Sequence, residues 1–300
     1  MTKSKKPRIG IALGSGIARG WAHIGVLRGL QRLGIHPDIV CGTSVGAFVG
    51  GAYAAGKLDS LESWARDPNS FRLTRLFDFQ FAHGGLIAGR KMMQIFEDEL
   101  PDVLIEDLPG KFACVCTDLD TGHEIWIQEG RLIEAVRASS AVPGILPPVH
   151  IDGRWLVDGA LVNPIPVSVC RALGAHIVIA VDLNTDVFES SWQRTATEFE
   201  DTAESAIVSR MKTLPGADFV RHLFSHQKHA PSILGVMARS LDIIQNRISR
   251  TRLASDPPDV RLTPRLGDIG MLQFDRSLAA IEAGEAAVDD ALAALKDALP

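Results

Sequence analysis

Short apolar runs alternate with helix-spaced apolar positions along the first half of the chain. The run at residues 8–13 leads into a glycine-rich loop at 14–20, and apolar residues then recur at helical intervals. A second run, at 39–41, passes into small helix-forming residues that end at Gly56. Runs of this kind predict strand–helix units around a buried, mainly parallel sheet.

The pattern continues toward the C-terminus and predicts one α/β domain over residues 1–300. Prolines interrupt an apolar segment at 141–149 and keep it from being a long helix or a central strand. Polar residues replace clear periodicity at 186–231, which we interpret as a variable or mobile insertion within that domain. Further strands are expected at 111–117, 124–127, 155–157, 176–182 and 259–262, and further helices at 89–100, 131–139, after Asn163-Pro164, at 232–253 and at 274–299.

Composition is typical of a globular enzyme, with 46% hydrophobic and 22% charged residues. The net charge of -5 and the lack of a long basic block disfavour nucleic acid as a partner. Four cysteines without a C-x-x-C pair indicate reduced core thiols. No apolar run at the N-terminus resembles a cleaved signal, and the uncharged stretch 40–56 is too short and glycine-rich to span a bilayer. We therefore expect a cytoplasmic protein.

Aromatic residues are interleaved with arginines at 61–81. A mixture of this kind can contact lipid at a membrane surface, and packing in the core or in a lid is the alternative that we prefer. Any membrane contact is expected to be peripheral, at the inner membrane surface.

Ser44 lies where an apolar run stops at Gly42 and a helix pattern begins after Gly46. This G-x-S-x-G arrangement is typical of a nucleophile elbow, a tight strand-to-helix turn that exposes the serine. A β-carbon at either glycine would collide with the neighbouring strand or helix. The amide groups at the start of the helix can stabilise negative charge near the serine. Ser44 is therefore the candidate nucleophile.

The glycine-rich loop at 14–20 also lies between a strand and a helix, where exposed amide groups can bind phosphate or a developing oxyanion. A dinucleotide site requires G-x-G-x-x-G, and Arg19 occupies the last of those positions. The next strand also ends in Gly42 rather than in an acidic residue. A dinucleotide site is therefore disfavoured.

Asp158 follows a short strand and begins the triplet Asp158-Gly159-Ala160, which taken alone is typical of a turn. Together with the glycine-rich loop and the elbow, in this order and spacing, the triplet resembles the three motifs of patatin-like phospholipases. The similarity is strongest to the bacterial subgroup related to neuropathy target esterase. It covers nearly the whole chain except 186–231.

The resemblance implies a three-layer α/β/α fold and a Ser–Asp dyad, in which Ser44 attacks an ester carbonyl and Asp158 acts as general base. It also implies a lipid or lysophospholipid ester substrate, an acyl-enzyme intermediate, and neither metal nor cofactor. The amides of Gly16 and Ile17 would form the oxyanion hole, with Arg19 as a structural or charge-positioning residue. The motif residues are Gly14, Gly16, Ile17, Arg19 and Gly20 in the loop, Gly42 and Gly46 in the elbow, and Gly159 and Ala160 after the base. Gly159 would let the loop after Asp158 approach the serine closely.

The loop departs from the family's commonest form, because Ser15 and Ile17 stand where two glycines would be. Backbone amides do not depend on the side chain. The departure matters if position 17 must take a positive φ, which is costly for a β-branched residue.

Two other interpretations remain open at this point. A conventional α/β-hydrolase would order its triad Ser44, Asp158 and one of His222, His226 or His229, but those histidines lie in the least patterned segment. From another class of function, the fold could serve as a lipid-sensing or regulatory protein.

Overall fold

The computed structural model describes residues 6–67, 94, 97–185, 233–270 and 273–299. The expected insertion at 186–231, most of the helix expected at 89–100, and the three histidines of the rival triad lie outside these residues. Most of the aromatic and basic stretch at 61–81 lies outside them as well.

Within the described residues, eight strands form one sheet in the order β5-β6-β3-β2-β1-β7-β8, with β4 also paired to β3. The pairs that join β3, β2, β1, β7 and β8 are parallel, whereas β4, β5 and β6 pair antiparallel. The mainly parallel sheet expected from the apolar runs is thereby confirmed. The strands are β1 Ile9–Leu13, β2 Ile39–Thr43, β3 Lys111–Asp118, β4 Glu124–Ile127, β5 Val149–Ile151, β6 Arg154–Asp158, β7 Ile177–Val181 and β8 Val260–Leu262.

The helices occupy most of the expected positions. The expected helix at 274–299 is wrong in its continuity, because a 3₁₀ turn at Phe274–Arg276 precedes two helices that separate at Ala291. The helices are α1 Ala22–Arg32, α2 Val45–Ala54, α3 Leu58–Arg66, α4 Leu132–Ser139, α5 Val167–Ala172, α6 Ile233–Ser255, α7 Ser277–Asp290 and α8 Leu292–Ala298.

Strand β5 is absent from the sequence-based prediction. It has three residues, follows two prolines and lies at the edge of the sheet. Proline cannot donate to a strand ladder, so a proline-flanked strand is tolerated at an edge. The prolines therefore concealed a short strand without contradicting the exclusion of a central one.

The core lies on both faces of the sheet. Along β1, Ile11 and Leu13 pack in one apolar cluster with α1, α2 and α4, whereas Ala12 packs in a second cluster with α5. Successive side chains of a strand point to opposite faces, so a strand covered on both sides is apolar throughout. The result is the expected three-layer α/β/α arrangement, in which loops at the carboxyl ends of the parallel strands converge at one edge of the sheet.

Candidate active site

Ser44 occupies the turn between β2 and α2, the predicted elbow. Its backbone has φ 58° and ψ -125°, a conformation that few non-glycine residues adopt, and the residue is buried. A β-carbon on Gly46 would lie 2.1 Å from the carbonyl oxygen of Leu13, and one on Gly42 would lie 2.4 Å from the amide nitrogen of Ala47. The close approach expected at both glycines is confirmed.

Contacts from α4 and from the loop after β6 hold the strained turn. The Ser44 amide donates to Ser139 Oγ at 3.0 Å, and the Ser139 hydroxyl donates to the Val115 carbonyl at 2.6 Å. The Thr43 hydroxyl donates to the Asn163 carbonyl at 2.9 Å. Backbone strain persists where the surroundings over-determine it, and these three bonds provide that support.

Asp158 is the last residue of β6 and reaches Ser44 through strand pairing. Asp158 pairs with Cys116 on β3, and the neighbouring residue of β3, Val115, pairs with Thr43 at the end of β2. Asp158 and Ser44 therefore lie at the ends of β6 and β2, which both pair with β3, although 114 positions separate the two residues in the numbering.

Burial raises the pKa of the Asp158 carboxyl to about 6, because a low-dielectric environment disfavours the charged form. Hydrogen bonds from the Ser44 hydroxyl and the Ala160 amide act in the opposite direction by stabilising the carboxylate. The Ala160 amide lies 2.8 Å from Asp158 Oδ1. The carboxylate is thus a stronger base than an exposed aspartate and lies within hydrogen-bonding reach of Ser44.

Gly159 allows a close backbone approach, but to a different neighbour from the one expected. A β-carbon at Gly159 would lie 2.2 Å from the Val115 carbonyl oxygen of β3. We expected the approach to be toward the serine. The glycine instead lets the chain turn tightly over β3, which pairs with both β6, ending in Asp158, and β2, which precedes Ser44.

The glycine-rich loop packs against the start of α2. A β-carbon on Gly20 would lie 2.1 Å from Val45 Cγ2. The Gly14 amide donates to Val181 and the Ser15 amide to Pro164, whereas within the described part of the chain the amides of Gly16 and Ile17 have no backbone acceptor. These two amides are the pair that the sequence indicated as oxyanion donors.

Ile17 has φ 49°, a backbone conformation that L-residues adopt rarely. Position 17 therefore takes the positive φ at which the departure of the loop from the family's commonest form matters. A β-branched residue in this region is strained, at a cost of about 1–3 kcal/mol. The loop must be held by contacts outside itself.

Arg19 provides several of those contacts, as expected for a structural residue. Its buried guanidinium donates from Nε to the Ile269 carbonyl at 2.8 Å and from Nη1 to Asn184 Oδ1 at 3.4 Å. The Asp242 carboxylate lies 3.7 Å from Nη1. Burial lowers the pKa of Arg19, and the charge of Asp242 opposes that shift. The guanidinium ties the loop to α6 and to the segment before α7.

His23 and Gln245 make contacts with the loop that the sequence did not indicate. His23, in the first turn of α1, has Nε2 2.7 Å from the Gly14 carbonyl oxygen, and burial lowers its pKa to about 4. It is neutral at pH 7 and donates to that carbonyl. The Ser15 hydroxyl donates to Gln245 Oε1 on α6 at 3.0 Å. A histidine on the buried face of the helix after the loop was a signal for the first contact; no local signal marks the second.

Comparison with known proteins assigns this chain to a family. Residues 11–171 match a family model described as patatin-like phospholipase. The chain is also 31% identical to an uncharacterised NTE family protein of Mycobacterium tuberculosis, over 98% of this chain and 93% of that protein. The chain belongs to the patatin-like phospholipase family. The matched residues include the loop, the elbow and the Asp-Gly-Ala triplet.

Other proteins that this chain matches are longer than it is. A second uncharacterised NTE family protein of M. tuberculosis is 32% identical over 96% of this chain and 47% of its own length. A patatin-like phospholipase domain-containing protein of Caenorhabditis elegans is 40% identical over 59% of this chain and 14% of its own. The crystal structure of VipD from Legionella pneumophila aligns with 98% of this chain and 67% of VipD, at a TM-score of 0.44 and 11% identity.

The described part of the chain carries neither a metal-binding cluster nor a membrane-spanning helix. The residues that the structure describes contain no group of three or more His, Cys, Asp or Glu side chains that could hold a metal ion. In the same residues, no helix is both long and apolar enough to cross a bilayer. The four cysteines are buried and free of disulfides, as expected.

Proposed function

We propose that this protein hydrolyses lipid acyl esters, of the phospholipid or lysophospholipid type, through a Ser44–Asp158 dyad. The observation that carries the proposal is a buried carboxyl with its pKa raised to about 6, within hydrogen-bonding reach of a serine on a strained elbow. A serine hydroxyl becomes a nucleophile when a base of suitable pKa lies within hydrogen-bonding reach. Membership of the family supports the choice of a lipid ester as substrate.

In the first half-reaction, Ser44 Oγ attacks the ester carbonyl carbon and its proton passes to the Asp158 carboxylate. The amides of Gly16 and Ile17 donate to the oxyanion of the tetrahedral intermediate. When the intermediate collapses, the leaving alcohol takes the proton from Asp158 and the acyl group remains on Ser44.

In the second half-reaction, Asp158 takes a proton from water, and the resulting hydroxide attacks the acyl-Ser44 carbonyl. Collapse of this second intermediate expels Ser44 Oγ, which recovers the proton from Asp158, and the fatty acid departs. Atoms and charge balance with water as the co-substrate.

Labelling by a fluorophosphonate tests the nucleophile directly. Wild type is expected to be labelled, and Ser44→Ala is expected to lose both the label and activity on a panel of phospholipid, lysophospholipid, triacylglycerol and nitrophenyl esters. Asp158→Asn should remain folded and lose about 10²- to 10⁴-fold in activity, the range usual for a general base.

Asp118→Asn provides the matched control. Asp118 is also a buried aspartate at the end of a strand, but it pairs with Arg154. This variant is expected to keep wild-type activity. Full activity in Ser44→Ala, or equal losses in Asp118→Asn and Asp158→Asn, would contradict the proposed mechanism.

A further inference from the structure

Helix α6 has its polar side inward. Asp242, Gln245, Asn246 and Ser249 are all buried, and they lie on one side of the helix. Gln245 accepts from Ser15, and Asn246 Nδ2 donates to the Asn184 carbonyl at 3.2 Å. The polar side of α6 therefore packs on the glycine-rich loop and its supports.

The outward face of α6 is apolar and basic, and we define it by Val236, Ile243, Ile244, Arg247 and Arg250. The three apolar side chains are 42–47% exposed, and both arginines are exposed. A surface helix normally directs its apolar stripe into the protein and its polar side to solvent. In α6 the two sides are exchanged.

The charge on this face has one sign. The sequence of α6 contains one carboxylate, Asp242, which is buried on the opposite side and faces Arg19. A helix that combines exposed aliphatic residues with arginines and carries no outward carboxylate is typical of segments that lie in the interface of an anionic membrane. Two copies of the outward face would oppose each other as cations, which disfavours self-association through it.

We propose that the outward face of α6 docks the protein on a membrane surface that contains anionic phospholipid. Ile243 and Ile244 would enter the boundary between head groups and acyl chains, while Arg247 and Arg250 would contact lipid phosphates. The choice of a lipid surface rests on the proposed lipid hydrolase function. Docking here would place a membrane one helix diameter, about 10 Å, from the loop beside Ser44, because the other side of the same helix contacts that loop.

Vesicle flotation of the full chain tests the docking without catalysis. The background is Ser44→Ala, so that the vesicles are not consumed. Binding is expected to vesicles of phosphatidylcholine with phosphatidylglycerol and to be much weaker to phosphatidylcholine alone. Raising the salt concentration should weaken it, because each arginine acts through a screened charge.

Two double variants separate the apolar and basic contributions. Arg247→Gln with Arg250→Gln should weaken binding to the anionic vesicles about 30-fold, because each arginine near an anionic surface contributes about 1 kcal/mol to the binding free energy. Ile243→Ser with Ile244→Ser should weaken binding to both kinds of vesicle. The matched controls are Arg131→Gln with Arg265→Gln, two exposed arginines elsewhere, and Leu278→Ser, an exposed leucine on α7; both should bind as the background does. Thermal unfolding establishes that every variant is folded.

The outcomes separate this inference from the proposed function. Vesicle binding that is absent, or equal in the α6 variants and the controls, would overturn the docking and leave the fluorophosphonate test of Ser44 unaffected. A dimer that becomes monomeric in the isoleucine variant would assign the face to a second copy and would also overturn it. Vesicle binding by a protein whose wild type hydrolyses no ester would refute the hydrolase and retain the docking.

Discussion

Asp158 acts as the proposed base only when its carboxyl is ionised. Because the pKa is raised to about 6, kcat/KM should be constant above pH 7 and should fall about tenfold per pH unit below 6. The direction follows from protonation: as pH falls through the pKa, the carboxylate that accepts the Ser44 proton disappears. A pH profile between 5 and 8 with a soluble nitrophenyl ester measures this, and constant kcat/KM over that range would contradict the assigned base.

The positive φ at Ile17 gives a stability test that is independent of activity. Within a helix or strand, glycine ordinarily lowers the free energy of unfolding by about 0.5–1 kcal/mol relative to alanine. At φ 49° the order should reverse, so that Ile17→Gly unfolds with a free energy about 1 kcal/mol larger than that of Ile17→Ala. Both variants lose the partly buried side chain beyond its β-carbon, so their difference reports mainly on the backbone. Urea unfolding measures it, and Ile17→Ala as the more stable of the two would argue against the strained loop.

The contact between the glycine-rich loop and α6 couples two elements that are far apart in the chain. Ser15 and Gln245 are joined by a buried 3.0 Å hydrogen bond. Ser15→Ala or Gln245→Met should each lower the free energy of unfolding by about 1–3 kcal/mol, because the remaining partner stays buried and unpaired. The double variant should lose less than the sum of the single losses.

If this bond positions the loop amides, the rate of fluorophosphonate labelling should fall in the two single variants, and the double variant should lose less than the sum of their losses. Ser249→Ala is the control, since its hydroxyl is buried on the same side of α6 and has no hydrogen-bond partner among the described residues. It should leave stability and labelling close to wild type. Strictly additive losses at Ser15 and Gln245 would indicate that the two residues act separately.

At the level of elements, the apolar pattern was sufficient for most strands and helices. The runs that became β1, β2, β3 and β7 are buried on both faces of the sheet, which is why they are apolar without alternation. Strand β5 escaped because three residues after two prolines, two half-buried and one exposed, are too few to show a period. The break at Ala291 escaped because an alanine-rich sequence favours helix on both sides of it.

Helix α7 joins the first strand–helix unit through a glycine crossing with α1. A β-carbon on Gly284 would lie 2.0 Å from the Ala22 carbonyl oxygen of α1. Gly284→Ala should destabilise the protein by about 1–3 kcal/mol through overpacking, although alanine is the better helix former.

Ala286→Gly is the reciprocal control, at an exposed position of the same helix. It should cost about 1 kcal/mol through helix propensity alone. Thermal and urea unfolding of the two variants measures both effects. A stabilising Gly284→Ala would show that propensity outweighs the close contact.

Local spacing along the chain was enough to identify the strand–helix alternation, the glycine-rich loop and Ser44 as the candidate nucleophile, whereas Asp158 as its partner was implied by the resemblance of the three motifs to patatin-like phospholipases. These features are local because a turn around Ser44 needs glycine two positions away on either side, and a buried strand needs an apolar run. The candidate oxyanion amides, which the glycine-rich loop indicated, also lie within the described residues.

The supports of the site depended on the tertiary structure. Ser139 reaches Ser44 across 95 positions, and Gln245 reaches Ser15 across 230. Such contacts leave no period or spacing in a single sequence, because each is formed by one pair of side chains that folding brings together. The inward polar side of α6 is of the same kind: its sequence is that of an ordinary amphipathic helix, and only the packing against the loop decides which side faces the solvent.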